Sequence, residues 1–134
     1  MNLNRVELIG NLTANPVVKK MPSGIAIATF TLATRSDWKD RTTKEPKHLT
    51  EYHALVAYGK LGAVVEKYLK EGDKVYVDGR LKTTQWQGKD KSRRYKTEVI
   101  ASNLIMLGSK PKTNDDVIVE EVSVDEELRE NPVE

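Results

Sequence analysis

Residues 4–13, NRVELIGNLT, alternate between apolar and polar: Val6, Leu8 and Leu12 share one side, Arg5, Glu7 and Asn11 the other. A period of two predicts a half-buried strand. In the following ANPVVKKMPSG, Pro22-Ser23-Gly24 reads as a turn, with Pro fixing φ and Gly closing it. Residues 25–38, IAIATFTLATRSDW, are rich in β-branched side chains and predict a long second strand. Residues 39–48, KDRTTKEPKH, have no apolar period and predict a loop or a flexible hairpin tip. Residues 49–58, LTEYHALVAY, predict a third strand. The period then changes. Leu61, Val64, Val65, Tyr68 and Leu69 recur at three and four, which predicts a short amphipathic helix over 60–69, with Gly72 as its stop. Residues 74–86 predict a fourth strand, 87–94 a basic loop, and 95–107 a fifth strand.

Three strands, a helix and two strands suit an all-β domain with one short helix, a five-stranded Greek-key barrel of the OB type. Other small α+β folds share that order. From residue 108 the pattern fails. GSKPKTNDDVIVEEVSVDEELRENPVE is acidic and has no aromatic residue, so it should not fold alone. Its segment VIVEEVSV has the composition to pair as a strand with something else, but 108–134 reads as a disordered acidic tail behind a domain at 1–107.

Alternation also assigns faces. In the fourth strand Val75, Val77, Gly79, Leu81 and Thr83 make the core side. Tyr76, Asp78, Arg80, Lys82, Thr84 and Trp86 make the other. In the third, His53, Leu55 and Ala57 face inward, and Tyr52, Ala54, Val56 and Tyr58 outward. Trp86 therefore shares a face with Arg80 and Lys82, and Trp38 stands where the second strand meets a basic loop. Rings exposed among cations form a platform on which nucleic-acid bases stack while Lys and Arg neutralise phosphates. Tyr52 and Tyr58 suit either that platform or a subunit interface. Tyr76 suits an interface, and Tyr68 and Phe30 the core.

Charge sharpens this reading. The formal net charge is only +2. Residues 1–114 hold 21 Lys and Arg against 11 Asp and Glu, a net +10, while residues 115–134 hold one Arg against 9, a net −8. A basic body with an acidic arm fits a polyanion binder, and a tethered anion should compete weakly for its own groove. There is no cysteine, and two histidines cannot make a closed zinc site, so no metal and no cofactor is expected. The first ten residues lack the order of a signal peptide, and no apolar run approaches a membrane span. The expected place is the cytoplasm, with no membrane partner.

NRVELIGNLTANPVVKKMPSG, TFTLAT, TEYHALVAYGKL, YLKEGDKVYVDGRLKTTQW and YKTEVIASNLIML resemble, in order and spacing, the bacterial single-stranded DNA-binding protein family. The resemblance runs from about Met1 to Leu107. It implies an OB-fold domain that assembles as a homotetramer, wraps single-stranded DNA without sequence preference, and serves replication, recombination and repair near the nucleoid. It implies stacking by Trp38, Tyr52, Tyr58 and Trp86. Basic contacts fall on Lys39, Arg41, Lys60, Lys70, Arg80 and Lys82, with Arg93 and Arg94 in the basic loop beside them. His53 falls at a subunit interface, with Arg5, Tyr76 and Asp78 at further oligomer contacts. Position 54 is Ala where family members often have Arg. The family's acidic tip, which docks replication and repair proteins, usually closes with Pro-Phe; this chain ends NPVE.

Three other readings compete. A related primosomal or organellar module would differ in partner rather than chemistry. A nuclease would need carboxylates converging on a metal; Asp37 and Asp40 lie close in sequence but lack a third ligand and a nucleophile–base pair. A cold-shock-like RNA binder would carry an aromatic motif on adjacent strands that is absent here.

Overall fold

The computed structural model describes residues 1–108 and 120–123. Its elements run β1 (Val6–Leu12), β2 (Val17–Lys20), β3 (Ala26–Lys39), β4 (Pro46–Tyr58), α1 (Gly59–Tyr68), β5 (Lys74–Gln87), β6 (Arg93–Gly108) and β7 (Glu120–Ser123). The sheet order is β1-β5-β6-β4-β3-β2, and β1 also pairs with β3. That last pairing closes β1, β5, β6, β4 and β3 into the expected five-stranded barrel. Among the described residues the one parallel pairing is between β4 and β6, through Leu55↔Val99 and Val56↔Ile100.

The alternating positions fill the interior. Leu12, Ala28, Phe30, Leu32, Leu55, Ala57, Val75, Val77, Val99, Ala101 and Leu104 are buried there, and Leu61 and Val65 of α1, with Leu69 just after it, seal one end. Gly10 lies where β1 crosses β3; a Cβ there would stand 2.5 Å from the Ala33 carbonyl oxygen. Asn4 prolongs the β1–β5 ladder with its side chain, donating to the Leu81 carbonyl and accepting from the Leu81 N–H, both at 2.8 Å.

Several expectations need correction. β2 falls at 17–20, to which no element was assigned, just before the expected turn at Pro22-Ser23-Gly24. It pairs with β3 from Val17↔Thr29 to Lys20↔Ala26. The polar stretch 39–48 is partly strand: β3 ends at Lys39 and β4 begins at Pro46, so the hairpin turn is only 40–45. The Asp40 carboxylate shapes that turn, accepting from the N–H groups of Thr42 at 2.8 Å and Thr43 at 3.0 Å. These bonds hold it below the usual carboxylate pKa. Asp37 is likewise occupied, 2.9 Å from Arg35. The basic loop shrinks to 88–92, between Gln87 and Arg93. Leu81 and Thr83 are not core: both are exposed, because β5 has run past the barrel by then. Tyr68 is on the open side of α1, with the Lys67 ammonium 5.3 Å from its ring centre. Gly72 does not cap α1, which ends at Tyr68; it turns the chain into β5 with φ 92° and donates to the Leu12 carbonyl.

The expected disordered tail lies largely outside the described residues. Within it, Glu120–Ser123 pairs antiparallel with β6 from Asn103↔Ser123 to Met106↔Glu120. β6 has an edge to offer there, because its contact with β4 is confined to Val99 and Ile100. A strand along such an edge satisfies backbone groups that would otherwise template association.

Candidate nucleic-acid interface

Two long hairpins rise from the barrel. The β3–β4 ladder runs unbroken from Ile27↔Tyr58 to Lys39↔Pro46. The β5–β6 ladder runs out to Gln87↔Arg93. β4 and β6 touch only at their roots, so the two arms part above Val56 and Ile100. Each arm is a polar ribbon with both faces in solvent, which explains why its sequence lacks a strict apolar period.

Cross-strand partners share a face, so the registers place each candidate residue. Through Thr31↔Ala54 and Ala33↔Tyr52, the outer face of the first arm carries Tyr52, Ala54 and Tyr58. Through Arg80↔Ile100, Lys82↔Glu98, Thr84↔Lys96 and Trp86↔Arg94, the outer face of the second carries Arg80, Lys82, Trp86 and Arg94. The parallel pair Val56↔Ile100 joins these into one surface. Lys39 shares it at the far end of β3, opposite Pro46. Tyr52 is 69% exposed and Trp86 47%. Both rings are open in a fold that buries Phe30 and Leu32. Tyr58 is half-buried at the root, and burial, then the Glu98 carboxylate, push its phenol pKa up, with Arg80 acting the other way.

Some candidates lie elsewhere. Trp38, 51% exposed, pairs with Lys47 and so projects from the opposite face of its arm to Tyr52. A cleft of about 450 Å³ beside it is lined by Arg35, Lys39, Lys47 and His48, so its ring too is bordered by cations. Arg41 is in the exposed turn 40–45. Arg93 pairs with Gln87 and faces away from Trp86. Lys60 follows Tyr58 in the first turn of α1, and Lys70 follows the helix, its N–H donating to Asp73 at 3.0 Å.

Sequence reasoning passed over Lys96 and Glu98. They lie on the outer face between Arg94 and Ile100, and Lys96 Nζ is 3.4 Å from the Glu98 carboxylate. Alternation counted back from Leu104 and Met106 would have missed them, because the inward-facing parity changes along β6.

The expected oligomer residues occupy a separate region. Glu7 and Asp78 are direct cross-strand partners, two carboxylates that would repel. Arg5 bridges them at 2.9 Å each, and Asp78 first, then Glu7, raises its pKa. Tyr76 pairs with Ile9, which is 54% exposed, so this face presents apolar surface beside the charges. His53 is half-buried, with Nε2 2.8 Å from the Thr34 hydroxyl.

A face with three rings and at least five cations can stack on bases and neutralise phosphates. The sequence model of the single-strand binding protein family matches residues 3–107. Among solved structures, the chain is similar to the Plasmodium falciparum SSB in complex with single-stranded DNA. The two are 38% identical, with a TM-score of 0.74 over 80% of this chain and 97% of that one.

Proposed function

Because the chain belongs to the single-strand binding protein family, it binds single-stranded DNA in replication, repair and recombination, and we propose that the outer face of its two arms is the surface that does so. Tyr52, Tyr58 and Trp86 stack on bases, with Trp38 doing the same from the back of the first arm. Arg80, Lys82 and Arg94 neutralise phosphates beside them, and Lys39, Arg41, Lys60, Lys70 and Arg93 extend the basic track. The observation that carries this is the registry that gathers Tyr52, Tyr58, Arg80, Lys82, Trp86 and Arg94 onto one surface. The role is binding rather than catalysis, and it needs no cofactor.

Phosphate neutralisation fixes the salt response. The slope of log affinity against log salt is expected to be about −0.7 per phosphate contacted on a single strand. Arg80→Ala and Lys82→Ala are each expected to flatten it by about that amount. Titrating oligo-dT at several salt concentrations checks this, and an affinity indifferent to salt would refute it.

We also propose a homotetramer formed through His53 and through the Arg5, Tyr76 and Asp78 face. The exposed Ile9 beside Tyr76 supports an apolar contact there. The mass of the assembly in solution is expected to be four chains. His53→Lys, which sets an uncompensated charge in a dry contact, is expected to weaken assembly by several kcal/mol. A monomeric mass at micromolar concentration would count against the proposal. The arm after residue 107 is proposed as a handle for replication and repair proteins, and the cytoplasm as the site of action. Among the described residues no helix is long and apolar enough to cross a membrane.

A further inference from the structure

Glu98 is out of place on a surface for phosphates. It lies in the middle of the basic outer face, directly across the ladder from Lys82 and against Tyr58 at the root. Its carboxylate is 3.4 Å from the Lys96 ammonium, and its side chain is only 20% exposed, against 56% for Lys96. Toward the backbone of a bound strand a carboxylate there acts by repulsion alone.

The surroundings show what holds it. At the crotch where the two arms part lies a cleft of about 260 Å³, bordered by Lys96 and Glu98 from β6 and by Thr29, Thr31 and Ala54 from the first arm. Lys96 is the one cation among its lining residues. The first arm therefore brings no charge to this point, and the carboxylate is met by its own arm. Lys96 is beside it, Lys82 across from it, and Arg80 acts on Tyr58 in the opposite sense to Glu98. These are the cations that a phosphate would seek. In the free protein Glu98 stands where a phosphate oxygen would stand, as an anion against Lys96. An ion pair this open to water contributes little, so an arriving phosphate can break it.

We infer that Glu98 is a displaceable counter-anion built into the DNA face: it holds Lys96 and Lys82 when no strand is bound and yields them to phosphate when one is. The inference rests on the proposal that the outer face holds the DNA strand, and it falls with that proposal. It has two consequences. Cations already compensated by a carboxylate release fewer salt ions when phosphate arrives, so affinity depends on salt less steeply than the number of cations implies. The displaced carboxylate also stays beside the backbone, and its repulsion shortens the life of the complex. No base is read, so binding stays tolerant of sequence, as stacking is. The face is tuned to let go of the strand as well as to hold it.

The test titrates oligo-dT at several salt concentrations, and times its dissociation, for the wild type, Glu98→Gln, Glu98→Asp, Glu51→Gln and Arg80→Ala. Glu98→Gln should bind about fivefold more tightly at low salt, the scale of two unit charges about 4 Å apart in water. Its salt slope should steepen by about 0.7, as for one more phosphate neutralised. The gain should lie in slower dissociation, because the charge acts at contact rather than at a distance. Glu98→Asp keeps the charge and should return most of the wild-type behaviour; if it shares the gain, charge is not the cause and the inference is overturned. Glu51 is exposed on the opposite face of the first arm, opposite Thr34 in the ladder. Glu51→Gln therefore changes the net charge alone. An equal gain from it, or a gain from Glu98→Gln that lies only in association, would overturn the inference. So would a Glu98→Gln protein that binds no more tightly than wild type. Arg80→Ala separates the two levels. If it flattens the slope while Glu98→Gln leaves it unchanged, the face stands and the counter-anion does not. If neither variant moves the slope, the face is wrong and the inference goes with it.

Discussion

Replacing Tyr52 and Trp86 together with alanine is expected to lower affinity for oligo-dT by roughly 2–6 kcal/mol, more than any other pair of substitutions on this surface. Each stacked base is worth about 1–3 kcal/mol by alanine substitution. Tyr52 is on β4 and Trp86 on β5, in arms that part above Val56 and Ile100, so the two losses should add. Both rings are open to solvent, which limits the damage to the fold. The double variant should therefore melt near the wild-type temperature. Trp38 survives as a reporter, and its fluorescence should still be quenched by oligo-dT at higher protein concentration. An unchanged dissociation constant would mean that bases do not meet these rings.

The barrel was legible in the sequence because one side of each barrel strand is dry. Val6, Leu8 and Leu12, or Val75 and Val77, alternate because one side meets Leu32 and Leu104 and the other meets water or a partner. The elements that went unread lack this asymmetry. VVKK has four residues, too few for a period, and is a strand because β3 supplies a ladder. Pro46–His48 are strand because the ribbon continues, with water on both faces. Glu120–Ser123 depends on an edge that only the closed barrel creates.

The candidate site divides in the same way. Parity on β5 alone brought Arg80, Lys82 and Trp86 together. It could not say that Trp38 projects from the opposite face to Tyr52, since that depends on the register across a turn whose length the sequence left open. On β6 the parity itself changes. Leu104 and Met106 face inward near one end, Val99 and Ala101 near the middle. Counting by twos from the core end would have put Lys96 and Glu98 on the inward-facing set.

The cause of that change is also a point where the backbone leaves no room. The β5–β6 pairing steps from Asp78↔Asn103 to Gly79↔Ala101, leaving Ser102 as the extra residue of a bulge. Gly79 is buried there. A Cβ on it would overlap the Ile100 carbonyl oxygen and stand 2.9 Å from the Ile100 carbonyl carbon and 3.1 Å from the Ala101 Cα. These are backbone atoms, so no side-chain rotation makes room; the ladder must open. Gly79→Ala is therefore expected to cost about 3 kcal/mol, the upper range for an overpacked core. Gly24→Ala is the control. Gly24 has φ 88° but nothing within 4 Å of the added carbon, so it should cost only the backbone strain, about 1 kcal/mol. Denaturant midpoints for the two variants measure the difference. Function should follow the same order, because Arg80, Lys82 and Trp86 take their direction from the bulge just before them. At temperatures where both variants stay folded, Gly79→Ala should still bind oligo-dT more weakly than wild type, and Gly24→Ala should not. Equal stability of the two variants would show that β5 and β6 can separate at Gly79 without cost, and that the bulge does not hold the basic face in place.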